Sequence, residues 1–247
     1  MSAFTSFQNI LPDPNNPISY AGDDDSASVG KANGPGFASV KFSSEQPLMR
    51  DRTNSGRILT RAIAFHKWKI SITYNPMTRD EFEPIHNFLL QRRGSLSPFF
   101  VSLPQYRVPQ DSTFASYAAS NNLTPTGALS AGLTQALITK AGYNSGTNKT
   151  PRPGDLFTIT GSNSNHLKTY QITRVETDDD YLTSAAQPTA SQVRVHFVPG
   201  LAKAVAATDG FVFHNPLVKV VQTSNTREYS LNTDNLYQFS LSLEEVQ

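Results

Sequence analysis

Trp68-Lys69-Ile70-Ser71-Ile72-Thr73-Tyr74-Asn75-Pro76-Met77-Thr78-Arg79-Asp80-Glu81-Phe82 decides how the rest of this chain is read. Its first seven residues alternate, with Trp68, Ile70, Ile72 and Tyr74 on one side and Lys69, Ser71 and Thr73 on the other. Successive side chains of a strand point to opposite faces, so the pattern predicts a strand with one buried face. Asn75-Pro76 ends it, because proline cannot donate to a ladder. Thr78-Arg79-Asp80-Glu81 has the form of a capping box, and Phe82, Ile85, Phe88 and Leu89 then recur at helical spacing until Gly94. A helix with one apolar stripe packs on a sheet rather than standing free.

Working outward, Phe37 to Phe42 reads as a short strand, Ile58 to Tyr74 as a long one and Pro98 to Leu103 as the strand after the helix. From Gln105 to about Asn215 the texture changes to Ser, Thr, Asn, Ala and Gly, and Ser112 to Thr150 reads as low complexity. Within it, Gly154 to Gly161, Thr169 to Val175, Val193 to Val198 and Gly210 to Phe213 predict short strands between turns, the spacing of a small barrel or sandwich. Leu217 to Gln222 and Tyr237 to Leu243 return to the first pattern, and in the second of these the odd positions are apolar and the even ones Gln or Ser. The expected class is therefore mainly β, a β-rich α+β fold. Its domains are an extended arm at 1–36, a discontinuous domain at 37–105 and 216–247, and an inserted barrel-like domain at 106–215. The arm is rich in Pro and Asn, and its scattered Phe4, Phe7, Ile10 and Tyr20 read as anchors for a neighbouring surface.

The chain has 247 residues, 38% hydrophobic and 17% charged, with a formal net charge of +1. So small a net charge creates no global field for a polyanion or an anionic membrane, which disfavours nucleic-acid binding as the main task. The absence of Cys removes disulfides, thiolate metal sites and cysteine nucleophiles together. Met1 to Pro17 lacks the basic and apolar regions of a secretion signal, and no segment is apolar for long enough to span a membrane. The expectation is a protein made in the cytoplasm with no membrane insertion.

The search for chemistry returns no constellation. His66, His86, His166, His196 and His214 never share the spacing that puts two ligands on one helix face. Asp23 to Asp25 and Asp178 to Asp180 lack the Gly and Glu of a calcium loop and read as solvated turns. Gly30-Lys31-Ala32-Asn33-Gly34-Pro35-Gly36 lacks the order of a phosphate loop, and Gly161-Ser162-Asn163-Ser164 lacks the closing Gly of a nucleophile elbow. Asp80, Glu81 and Glu83 are accounted for by helix-end stabilisation and Glu244 and Glu245 by solubility, while Arg92-Arg93 complements the helix dipole. No catalytic, cofactor-binding or metal-binding residue is assigned, and no cofactor or enzymatic activity is expected.

The run from Trp68 to Phe82, continued by Phe88-Leu89, Arg93-Gly94 and Phe99-Phe100, resembles phage tail proteins related to the tail tube, especially distal tail and baseplate hub proteins. Tyr237 to Val246 is similar to their last strand, and the module from Gly154 to Phe213 looks like the small OB- or SH3-like barrels they carry as insertions. The resemblance implies a tail-tube-like β-sandwich or barrel with one packed helix. It further implies a structural virion protein that forms a homo-oligomeric, hexameric ring at the distal tail or baseplate. That ring would lie between the tail tube and the hub proteins, around a channel for DNA and the tape-measure protein. A second expectation is a receptor- or glycan-binding module in which Tyr170, Tyr181 and Phe197 of the inserted barrel act as aromatic platforms.

Overall fold

The computed structural model describes residues 9–16, 18–19, 31–32, 34–62, 66–161, 168–224 and 228–246. In chain order the elements begin with β1 (Ile18–Ser19), β2 (Lys31–Ala32), β3 (Phe37–Glu45), β4 (Leu48–Arg52), β5 (Ile58–Ala62), β6 (Lys67–Tyr74), α1 (Arg79–Gln91) and β7 (Phe99–Ser102). Then come α2 (Ser112–Ala118), β8 (Thr124–Pro125), β9 (Gln135–Thr139), α3 (Ser145–Asn148), β10 (Leu156–Thr160), β11 (Thr169–Glu176), β12 (Gln192–Val198) and β13 (Gly210–Val212). The chain closes with β14 (Leu217–Gln222), β15 (Ser230–Leu231), β16 (Tyr237–Gln238) and β17 (Ser240–Glu245). The mainly β class holds. The chain divides into two compact units, one formed by residues 1–101 with 219–246 and the other by 102–218.

The first unit is built on a five-stranded sheet in the order β3-β6-β17-β14-β7. Its centre is the stretch that opened the reading: Trp68, Ile70, Ile72 and Tyr74 are buried. Their β17 counterparts Leu241 and Leu243 stand opposite Ile72 and Ile70 in antiparallel register and are also buried. Helix α1 covers this face, with Phe82 stacked on Tyr237 at 4.5 Å and Phe88 edge-on to Phe99 at 5.4 Å. At its start Glu81 Oε2 accepts the Thr78 amide N–H and the Thr78 hydroxyl, both at 3.0 Å, which satisfies one of the helix's orphan donors. Arg93 and Gly94 stop the helix in the left-handed region, at φ 52° and 67°.

Three expectations change here. The long strand from Ile58 to Tyr74 is two elements: β5 pairs with β4 in a hairpin, while β6 pairs with β3 and β17. Apolar residues in Ile58–Ala62 fall on both sides of the strand, so no single face holds it against the core as β6 is held. Glu245 is not a solubilising terminal charge; it is buried and accepts the Trp68 N–H at 3.3 Å. Arg92 does more than sit near the helix dipole, since its guanidinium lies 4.7 Å over the Phe88 ring and donates to Asn9 Oδ1 at 2.9 Å.

Of the residues read as anchors in the arm, Phe4, Phe7 and Tyr20 lie outside the described residues, while Ile10 bridges to Phe100 of its own unit. The next residue, Leu11, is fully buried, and its N–H donates to the Phe100 carbonyl at 2.8 Å. Asp13 makes the turn that follows, accepting Asn15 N–H at 2.7 Å and Asn16 N–H at 2.9 Å. Gly34 closes onto this turn so tightly that a Cβ there would lie 2.4 Å from the Pro12 carbonyl carbon and 2.5 Å from the Asp13 nitrogen. Backbone cannot yield as a side-chain tip can, so Gly34→Ala is expected to undock this strap at a cost of about 1–3 kcal/mol. Hydrogen exchange checks it: the Leu11 amide should lose its protection while the β6 amides keep theirs.

The second unit is a six-stranded antiparallel sheet in the order β13-β10-β11-β12-β9-β8. A bridge between Leu123 and Phe211 brings its two edges together, so the sheet is a nearly closed barrel. Phe157 sits at the centre, its ring 5.3 Å from Tyr170, 5.3 Å from Phe197, 5.1 Å from Phe211 and 5.4 Å from Phe213. The segment read as low complexity is structured and belongs to this unit. Asp111 caps α2 by accepting the Thr113 and Phe114 amides at 3.0 Å each, and Phe114, Ala115 and Ala118 go into the core. β9 buries Ala136 and Ile138. Among the described residues there are therefore two more short α-helices than the one packed helix expected.

Candidate functional site

The β4–β5 hairpin is the least satisfied feature of the first unit. Leu48 and Met49 are 55% and 60% exposed, Ile58 and Leu59 42% and 48%. The turn itself is well made: Thr53 N–H donates to the Arg57 carbonyl at 2.9 Å, Gly56 N–H returns to Thr53 at 2.8 Å, and Gly56 takes φ 81°. The register places Leu48, Arg50, Arg52, Ile58 and Thr60 on one side, with Met49, Asp51, Leu59 and Arg61 on the other. Both sides thus mix apolar residues with charge, and Arg50, Arg52, Arg57 and Arg61 outnumber the single Asp51. A two-stranded hairpin alone is marginal in water, so one that exposes apolar residues on both faces is chemically suited to lie on another protein surface.

The outer face of the five-stranded sheet has the opposite character. Cross-strand neighbours Lys41, Ser71 and Ser242 form one row, and Ser39, Thr73 and Ser240 the next. Two charge pairs lie on it, Lys69 Nζ 3.0 Å from Glu45 and Lys67 with Glu244, and Lys41 adds a positive charge to the first row. Exposed pairs of this kind add little stability, and the face is hydroxyl-rich with few charges.

In the barrel, four titratable side chains meet at one place. Register sets Glu176 opposite Arg194, and Arg174 opposite His196. Glu176 is fully buried; its Oε2 accepts from Arg194 Nη1 at 2.9 Å, and its Oε1 lies 3.0 Å from His196 Nε2 and 3.4 Å from Arg174 Nε. Burial alone would push the Glu176 carboxyl up, but hydrogen bonds from Arg194 and His196 outweigh it and hold the group below its ordinary 4.5. Arg194 Nη2 also donates to the Ala186 carbonyl at 2.6 Å, tying down the loop between β11 and β12. The cluster is a clamp on that loop.

Residues 25–106 match the family described as distal tail protein pb9, A domain, N-terminal part. Over 143 residues the chain is 29% identical to distal tail protein pb9 of Escherichia phage T5, a stretch that takes in 57% of this chain and 62% of that relative. The resemblance to phage distal tail proteins is borne out. The matched family region holds β3 to β7 and α1, so the distal tail likeness is carried by the very strand, capped helix and strand from which the fold was read. The chain spans 62% of the length of its T5 relative.

In this chain the candidate residues of the sequence are scattered. His66 is buried with Nε2 2.7 Å from Ser44 Oγ, His86 stacks on Phe82 at 5.1 Å, and His196 is in the Glu176 clamp. His214 lies in the turn after β13. His166, Asp23 to Asp25 and Ser162 to Ser164 lie outside the described residues, as do Gly30 and Asn33 of the glycine-rich run. Among the described residues no three of His, Asp and Glu gather as metal ligands. Asp178 accepts from Ser145 Oγ at 3.1 Å, which fastens the loop to α3. Two of the three aromatic platforms are ruled out: Tyr170 and Phe197 are 0% and 1% exposed and form the barrel core. Among the described residues no helix is long and apolar enough to cross a membrane. The exposed hairpin was missed in the sequence, although four arginines among Leu and Ile flanking Asn54-Ser55-Gly56 are its signal.

Proposed function

We propose that this chain is a structural component of a phage tail without catalytic turnover, and that copies of it close a ring at the distal end. The ring, six subunits in this reading, joins the tail tube to the hub proteins and surrounds the channel for DNA and the tape-measure protein. The observation that carries the proposal is the β4–β5 hairpin, exposed on both faces and apolar on each. A ring supplies a repeated neighbouring surface for such a hairpin and leaves no copy with it bare, because cyclic symmetry closes. The hydroxyl-rich sheet face supports the channel, since a surface with few charges, most of them paired, gives DNA little to hold. Purified protein is expected to form rings with a central hole in negative stain. The paired change Met49→Asp with Leu59→Asp, on one exposed face of the hairpin, should abolish the rings and leave the melting temperature within a few degrees of the parent, as exposed substitutions cost about 0.5 kcal/mol or less. A parent protein that stays monomeric at high concentration, or rings that survive the double change, would refute the proposal.

A further inference from the structure

An open groove of about 490 Å³ lies within the first unit, where the ends of β6 and β17 meet the β15–β16 ribbon. Thr73, Pro76, Glu228, Tyr229, Gln238 and Ser240 are among the residues that line it. Tyr229 is 49% exposed, yet its ring packs against Phe82 at 5.1 Å, Tyr237 at 5.5 Å and His86 at 5.7 Å. It is a pre-organised aromatic surface partly open to solvent, and an aromatic ring held in this way loses little entropy when a ligand lies on it.

The lining chemistry narrows the ligand. Among the described residues that line the groove there is no Lys, Arg or His, and Glu228 is the one that carries a charge, which disfavours an anionic ligand there. Much of the backbone is already committed: Ser240 pairs with Thr73, Ser230 with Gln238, and Met77 and Tyr237 exchange amides at 2.9 and 2.8 Å. At these positions a peptide adding as a strand finds side chains rather than a ladder. What remains is an aromatic platform ringed by a carboxylate, an amide and hydroxyls, which suits a ligand with apolar C–H faces and many hydroxyl groups.

We propose that this groove binds a neutral oligosaccharide, with a sugar ring stacked on Tyr229 and its hydroxyls bonded by Glu228 and Gln238. The site stands on the first unit alone and does not depend on the ring reading. Maltoheptaose, mannoheptaose, cellohexaose and chitohexaose, titrated into the full-length protein and followed by saturation-transfer NMR, test it. Saturable binding of at least one is expected, with signal from ring C–H protons. Tyr229→Ala should weaken it by about tenfold or more, a loss of about 1.4 kcal/mol. Tyr229→Phe should retain it, Gln238→Ala should weaken it, and each variant's thermal melt establishes that it is folded. Failure of all the probes to saturate, or unchanged binding in Tyr229→Ala, overturns the proposal. So does a Tyr229→Ala protein that loses its rings while sugar binding is unchanged, because the occupant is then a second copy of the chain.

Discussion

Glu176→Gln is expected to destabilise the barrel unit by about 3–5 kcal/mol, the cost of leaving one member of a buried ion pair without its charge. The carboxylate is fully buried and the Arg194 side chain is 10% exposed, so water cannot substitute for the lost partner. Glutamine keeps the shape but offers Arg194 and His196 only a neutral acceptor. The loop tie from Arg194 to Ala186 should loosen with it. Equilibrium urea denaturation followed by near-ultraviolet tyrosine signal measures the loss. The double change Glu176→Leu with Arg194→Leu should recover most of it, because the most buried cation leaves with the carboxylate, while Arg174 and His196, 44% and 22% exposed, keep access to water. The pH dependence has a defined sign. Glu176 is depressed on folding, so its contribution is present above the unfolded carboxylate range and drains away as pH falls below 4.5 towards the folded value. The parent barrel should lose stability across that acid window, and Glu176→Gln should lack this part of the slope. Equal slopes in the two proteins would show that the clamp is not ionised as described.

How much of this was legible in the sequence depends on how local each cause is. β6 and α1 were readable because alternation, a capping box and an apolar stripe are each written within a few residues, and β17 because its alternation is as regular. The barrel strands β10 to β13 fell close to their expected places for the same reason. β4–β5 was hidden because a hairpin exposed on both sides has no buried face to impose alternation. α2 was hidden because Ser, Thr and Ala dominate it, leaving Asp111 and the pair Phe114 and Ala118 as its local signal, and β9 because Ala136, Leu137 and Ile138 run together with no alternation. The Glu176 clamp depends on the β11–β12 register, which includes a bulge between Ile172 and Arg174, so no spacing along the chain reveals it. Glu245 is the extreme case: its partner, the Trp68 N–H, is 177 residues away, and only the assembled five-stranded sheet brings them together. At the groove, Tyr229 and Phe82 come from the two separate segments of the first unit, so the platform existed in no local stretch.

Ile72→Asp and Ser71→Asp, one residue apart on β6, are expected to differ by about 5 kcal/mol or more, since burying an unpaired carboxylate costs several kcal/mol on top of the lost packing. Ile72 is 0% exposed, and its cross-strand neighbours Val40 and Leu241 offer the carboxylate nothing to bond. Domains of this size carry about 5–15 kcal/mol in total, so the first unit should scarcely fold. Ser71 points to the other face, where Lys41 stands directly across from it, and an aspartate there gains an attractive neighbour. Its effect should stay within about 0.5 kcal/mol. Trp68 is the chain's one tryptophan and is buried beside Phe42 at 4.4 Å in this unit, so its fluorescence reports the unfolding directly. A period of two makes this a stringent test: slipping the register by one residue would exchange the fates of the two variants, and no other change to the fold would. If both aspartates are tolerated, the alternation does not define a core; if both unfold the unit, the hydroxyl face is covered, and the open channel surface assigned to it is lost.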